Sequence, residues 1–147
     1  ISLMKSLTQS VLSKLPHTSQ VYFALFCAKQ VAHLVKPEHK VVCDKALETA
    51  ELWLDGKATA EECKTAAAIA AANAANAAYA DAYAAAYAAA NAATAAANAA
   101  YAAYAAADAA AYAAYADTDE QAIIKAQWVY YKELLAFETI IEDVLLA

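Results

Sequence analysis

Residues 66–116 read AAAIAAANAANAAYADAYAAAYAAANAATAAANAAYAAYAAADAAAYAAYA. The phase of the few non-alanine residues decides the fold. At about 100° per residue for an α-helix, Asn73, Asn76, Tyr79, Tyr83, Tyr87, Asn91, Thr94, Asn98, Tyr101, Tyr104, Asp108, Tyr112 and Tyr115 fall within roughly 140° of the circumference. Only Asp81 lies clearly on the other side. The segment is therefore helical, with a bare alanine face and a Tyr/Asn stripe.

An unbroken helix from Ala60 to Ala116 would be about 85 Å long at 1.5 Å per residue, too long for a compact domain of this size. The series Asn73, Asn76, Tyr79, Tyr83, Tyr87 recurs 25 residues later as Asn98, Tyr101, Tyr104, Asp108, Tyr112. That recurrence suggests two equivalent helices rather than one rod. The break is expected between Tyr79 and Thr94, with Asp81, Asn91 and Thr94 as candidate caps.

Outward from this segment the same class holds. The chain has 147 residues, enough for one domain with a core, and only one Gly and two Pro. So little turn material argues against a β fold and against disorder. Leu3, Met4, Leu7, Val11, Leu12 and Leu15 have helical spacing up to Pro16. Thr18 or Ser19 is placed to cap a second helix through Val35, apolar nearly all round, which Lys36-Pro37 breaks. A third covers about His39 to Leu54, with Val42, Ala46, Ala50 and Trp53 on one face, and Asp55-Gly56 closes it. Thr59 with Glu62 forms a capping box, and Thr118 with Gln121 repeats it before a last helix at about Asp119 to Leu146. Its apolar positions are Ile123, Ile124, Trp128, Tyr131, Leu134, Leu135, Phe137, Ile141, Val144 and Leu145. The expectation is a single all-α domain, a compact bundle of five or six helices. It divides into Leu/Val-rich helices (1–58), alanine-rich striped helices (59–116) and a C-terminal amphipathic helix (117–147).

Bulk properties narrow the function. A net charge of −6 argues against nucleic-acid binding through phosphates. A Tyr, Asn or Asp at almost every turn of the alanine tract argues against membrane insertion. Cys27, Cys43 and Cys63 have no metal-ligand spacing and read as reduced core thiols of a cytoplasmic protein. No signal peptide is apparent.

Catalytic constellations are not legible. His17, His33 and His39 include no i, i+4 pair, and each reads as a surface residue near a helix end. Cys27 with His33 is too loose for a nucleophile–base pair. Glu61-Glu62 and Asp117-Asp119-Glu120 fall in first helical turns, where the macrodipole favours negative charge, and Glu138-Glu142-Asp143 reads as a solvated face. No catalytic residue, metal or cofactor is expected.

The stripe has a bland reading, tyrosines filling space with hydroxyls at the edges, and a sharper one, a recognition surface. On the second reading the binding residues are Tyr79, Tyr83, Tyr87, Asn91, Asn98, Tyr101, Tyr104, Asp108 and Tyr112, while Trp53 and Cys27 belong to the core. A nucleotide-like small ligand held by the same stripe is the alternative. Ice binding, a purely structural role and self-association complete the field; ice contact wants repeated threonines, and the tract has one.

Three stretches together resemble a known family. They are Leu25-Phe26-Cys27-Ala28-Lys29-Gln30-Val31, then Lys45 to Gly56 with its Trp53-Leu54-Asp55-Gly56 element, and the alanine-rich helices after Thr59. These are similar to segments of the small, all-α, alanine-rich immunity proteins associated with bacterial polymorphic-toxin loci, over about Tyr22 to Ala116. The family usually places His, Arg and Gly within its alanine helices, where this chain has Asn76, Tyr101, Tyr104 and Tyr112. The resemblance implies non-catalytic binding of a protein antagonist, a toxin or defence component.

Overall fold

The computed structural model describes the backbone of residues 5, 7–76, 80–96, 99–117 and 120–146. It describes their side chains except those of 80, 81, 99, 100, 114–117, 141–143 and 146. The regular structure of these residues is helix, without a strand. The helices are α1 (Gln9–Leu12), α2 (His17–Gln30), α3 (Pro37–Leu54), α4 (Ala60–Ala74), α5 (Ala80–Thr94), α6 (Ala99–Asp117) and α7 (Glu120–Leu146). A single 3₁₀ turn, Ala32–Leu34, lies between α2 and α3.

Among the described residues seven helices replace the expected five or six, because the alanine tract breaks twice, after Ala74 and after Thr94. The interval from Tyr79 to Thr94, where the break was expected, is instead mostly α5. Asparagine and threonine explain the position. Asn73 and Asn76 donate from Nδ2 to the carbonyls of Ile69 (3.0 Å) and Ala72 (3.4 Å) around the end of α4. Asn91 donates to Tyr87 O at 3.0 Å and the Thr94 hydroxyl to Ala90 O at 3.0 Å, at the end of α5. Such side chains compete with the backbone for i−4 carbonyls and loosen the last turn. Beyond it, His17 Nε2 meets Ala95 O at 2.9 Å, and since a carbonyl can only accept, that nitrogen carries the proton. The 25-residue recurrence is therefore helical phase rather than a structural repeat: Asn76 lies beyond the end of α4, whereas its counterpart Tyr101 lies inside α6.

Packing follows from alanine. Central α5 touches α4 and α6 at its sides and α2 and α3 beneath. Ala82, Ala84, Ala85, Ala86, Ala88, Ala89, Ala90, Ala92 and Ala93 are all buried. Without side chains beyond Cβ, such helices can approach at the short end of the usual 8–10 Å range. The alanine surfaces continue into a core with Leu12, Val21, Phe23, Leu25, Cys27, Val31 and Leu47. Half-buried Trp53 packs against that core and lies 4.9 Å from the His17 ring.

Three local expectations change. Only Gln9–Leu12 is helical in the described part of the first segment, with Thr8 as its cap. Helix α2 starts at His17 without a side-chain cap. Buried Gln20 instead donates to Leu12 O (3.0 Å) and Leu15 O (2.9 Å), and Ser19 donates to Glu138 Oε1 at 2.9 Å, so Glu138 is not merely solvated. The helix ends at Gln30, before Lys36-Pro37, and Pro37 opens α3, where its missing N–H costs nothing. Two devices appear as read: the reciprocal Thr59–Glu62 capping box and Gly56 at φ 74°. The Thr118–Gln121 box cannot be placed, because Thr118 lies outside the described residues.

Candidate binding face

The stripe sits on the outer side of the α4–α5–α6 layer. Helices α5 and α6 pack side by side and both rest on α2, so the surfaces that neither contact covers lie on the far side. Among the described side chains of α5 only Tyr83, Tyr87, Asn91 and Thr94 escape burial. Among the described side chains of α6 the exposed ones are Tyr101, Asp108 and Tyr112. Tyr83 is 41%, Tyr87 40%, Tyr101 58% and Tyr112 60% exposed.

The rings are ordered along each helix. Tyr83 and Tyr87 stack with centroids 5.7 Å apart at 20°, as i, i+4 neighbours can. Tyr101 and Tyr104 are tilted, 6.4 Å apart at 56°. Tyr104 is only half-exposed and packs against the alanine core, so it belongs partly to the interior. Asn91 commits its amide N–H to Tyr87 O, which makes it a helix-end residue as well as a stripe residue. Tyr79 and Asn98 lie outside the described residues, as does the side chain of Tyr115.

Charge and nucleophilicity gather elsewhere, and weakly. No group of three His, Cys, Asp or Glu side chains comes together among the described residues. Cys27, Cys43 and Cys63 are buried. Burial raises all three thiols above their usual 9.0, Cys27 well above it and Cys43 to about 11, with Asp44 adding to the rise at Cys43 and Glu62 at Cys63. Such thiols are protonated and unreactive at neutral pH. His39, read as a surface residue, is buried instead, its Nδ1 without a hydrogen-bond partner. Among the described residues no helix is long and apolar enough to cross a membrane.

Three clefts are lined by residues other than the stripe. One, of about 310 Å³, lies among Tyr22, Phe26, Leu54, Asp55, Tyr130 and the 3.1 Å Lys29–Glu51 ion pair. Burial, then Tyr22 and Glu133, push the Tyr130 phenol above its usual value. A second, of about 390 Å³, lies across the stacked Phe26–Tyr130 pair, along the first half of α7. A third, of about 380 Å³, separates α3 from α4 beside Ile69.

The outer side of α7 was missed. Val129, Phe137, Ile140 and Val144 are 49–69% exposed, although the last helix was read simply as amphipathic. A signal was present: the apolar positions from Ile123 to Leu145 cover more circumference than one packed face can use.

Comparison with protein-family models, with curated proteins and with solved structures gives no match.

Proposed function

We propose that this is a non-catalytic binding protein that neutralises a protein antagonist by direct contact, as an immunity or anti-defence protein acting in the cytoplasm. Its contact surface is the outer face of α5 and α6, with Tyr83, Tyr87, Tyr101, Tyr104, Asp108 and Tyr112 as anchors. The observation that carries the reading is exposure of these rings on helices whose remaining surface is closed by alanine contacts. Tyrosine gives large contact area with two χ angles to freeze, and a close-packed scaffold holds the rings before binding. Both reduce the entropy lost on association. Four part-exposed aromatic rings on one layer contribute little to the monomer's own core.

A protein partner fits better than a small ligand. Ligand pockets are concave and enclose most of what they bind, whereas the rings stand on the outer side of a helical layer. The resemblance of the Cys27, Trp53-to-Gly56 and alanine-repeat segments to toxin-locus immunity proteins agrees with this reading.

The test is co-expression with the product of a toxin-like reading frame adjacent in the genome, scored by growth rescue and co-purification. Tyr83→Ala combined with Tyr101→Ala should abolish both while circular dichroism stays unchanged. Full rescue by that double variant would sink the proposal. So would a nucleotide that raises the melting temperature and loses that effect in the same variant.

A further inference from the structure

Helix α7 carries two stripes: the inner one is buried within the chain, and the outer one is covered by the chain only in its first half, where Ile123 and Tyr130 pack against the core. The inner stripe holds buried Ile124, Gln127 and Tyr131. The outer one is centred roughly 125° away at 100° per residue. It runs Ile123, Ala126, Tyr130, Glu133, Phe137, Ile140, Val144. These positions alternate by three and four residues without exception, the heptad spacing with which one helix packs along another. Phe137 is 57%, Ile140 59% and Val144 69% exposed.

The two halves of this stripe differ in a complementary way. The first half is a hole: small Ala122 and Ala126 with Phe26, Val129 and Tyr130 line the cleft of about 390 Å³. The second half is a row of knobs, Phe137, Ile140 and Val144. Charge is uneven too: the first half holds both signs, with Glu120 in its first turn and Lys125 and Glu133 lining the hole, whereas beyond Lys132 the helix has Glu133, Glu138, Glu142 and Asp143 and no basic residue.

We propose that the occupant of this face is a second copy of the chain, paired antiparallel through α7 about a two-fold axis. A two-fold interface must be self-complementary, and this stripe is. In the antiparallel register Ile123 lies opposite the second copy's Ile140, Ala126 opposite its Phe137, and Tyr130 opposite its Glu133. Each Phe137 enters the other chain's cleft, beside the Phe26–Tyr130 stack. Each acidic half lies over the half that holds Lys125, and the Glu133 carboxylate can accept from the facing Tyr130 hydroxyl. A parallel pair would set Glu133 against Glu133 and acidic half against acidic half, and an anionic lipid surface would be repelled by the same charges. None of this depends on the tyrosine face of α5 and α6.

Sedimentation equilibrium at micromolar protein should show twice the 15.4 kDa chain mass. Phe137→Asp and Ile140→Asp should each raise the dissociation constant by about 100-fold, as central anchors do, with helicity unchanged because both side chains are exposed in the single chain. Under mild oxidant, a mixture of Ala126→Cys and Phe137→Cys chains should cross-link, while Phe137→Cys alone should not. The native thiols are buried and give no background. A monomeric wild type, a dimer indifferent to both aspartates, or a 137–137 cross-link would each overturn the proposal.

Discussion

Enlarging one buried alanine should cost more stability than deleting a whole tyrosine ring from the stripe. Ala103 in α6 has no exposed surface and belongs to the main core cluster. Ala103→Leu adds three heavy atoms where helices already meet through methyl groups, and overpacking of this kind costs about 1–3 kcal/mol. Helix propensity does not confuse the comparison, because Leu lies close to Ala on that scale. Tyr112 is 60% exposed, so about 40% of its surface is covered by the fold. Full burial of a large apolar side chain contributes about 1.5–3 kcal/mol, so the covered part of Tyr112 contributes about 0.6–1.2 kcal/mol. Alanine returns roughly 0.5 kcal/mol in helix propensity, leaving a net loss for Tyr112→Ala under about 1 kcal/mol. For a chain of this size 1 kcal/mol shifts the midpoint by about 2–4 °C. Thermal and urea unfolding followed by circular dichroism, with m-values compared to confirm an unchanged transition, give both numbers. If Tyr112→Ala loses more stability than Ala103→Leu, the assignment of methyls to cohesion and rings to the exterior is wrong.

Two further outcomes follow from single sites. Thr59→Ala removes one bond of the capping box outright and leaves Glu62 without its counterpart, both bonds being 3.1 Å; it should cost about 1 kcal/mol in urea unfolding, and Thr59→Ser should restore most of it. The Cys43 thiol is raised from 9.0 to about 11 by burial and by Asp44. A raised folded value means the protonated thiol is preferred in the fold, so its contribution is fully present below pH 9 and is lost as pH rises towards 11. Urea midpoints of wild type should therefore fall more steeply across that window than those of Cys43→Ala; parallel curves would show that the thiol is not desolvated.

The fold was legible because alanine and its interruptions speak in one period. Val42, Ala46, Ala50 and Trp53 share the inward face of α3, and Thr59–Glu62 and Gly56 mark ends by their own chemistry. What misled was treating Asn73 and Asn76 as part of the stripe alone, and Asn91 as a cap that would start a helix rather than as a residue near the end of one. Their amides turn back on i−4 carbonyls, so they also locate the two breaks, and helical phase does not distinguish a residue that faces out from one that ends the helix. The bonds from Gln20 to the carbonyls of Leu12 and Leu15 were not readable either, since they satisfy acceptors at the end of α1 rather than the free N–H groups of α2 that Thr18 or Ser19 was expected to cap. On the candidate face, phase predicted which rings share a side, but the depth of Tyr104 depends on how closely the alanine helices approach.

A core made largely of methyl groups restricts where this protein can keep specificity. Large side chains that would normally encode unique packing are scarce between α4, α5 and α6, so close approach is set by shape alone and the layer has little room to rearrange. Recognition then has to be carried by side chains that leave the layer, which is where the tyrosines stand. The same reasoning applies to α7 with the opposite outcome. Its inner stripe is anchored by Trp128 Nε1 to Lys5 O at 2.8 Å and by the Tyr131 hydroxyl to Val11 O at 3.1 Å. Its second half touches little of the chain, yet it holds the large apolar residues that the alanine layer lacks. Pairing two chains through α7 would cover those residues without touching Tyr83, Tyr87, Tyr101 or Tyr112, so a dimer would present two tyrosine faces at once. Loss of partner capture with the dimer mass intact, and loss of dimer mass with single-face capture intact, are therefore separable phenotypes, because the residues behind them are on different helices.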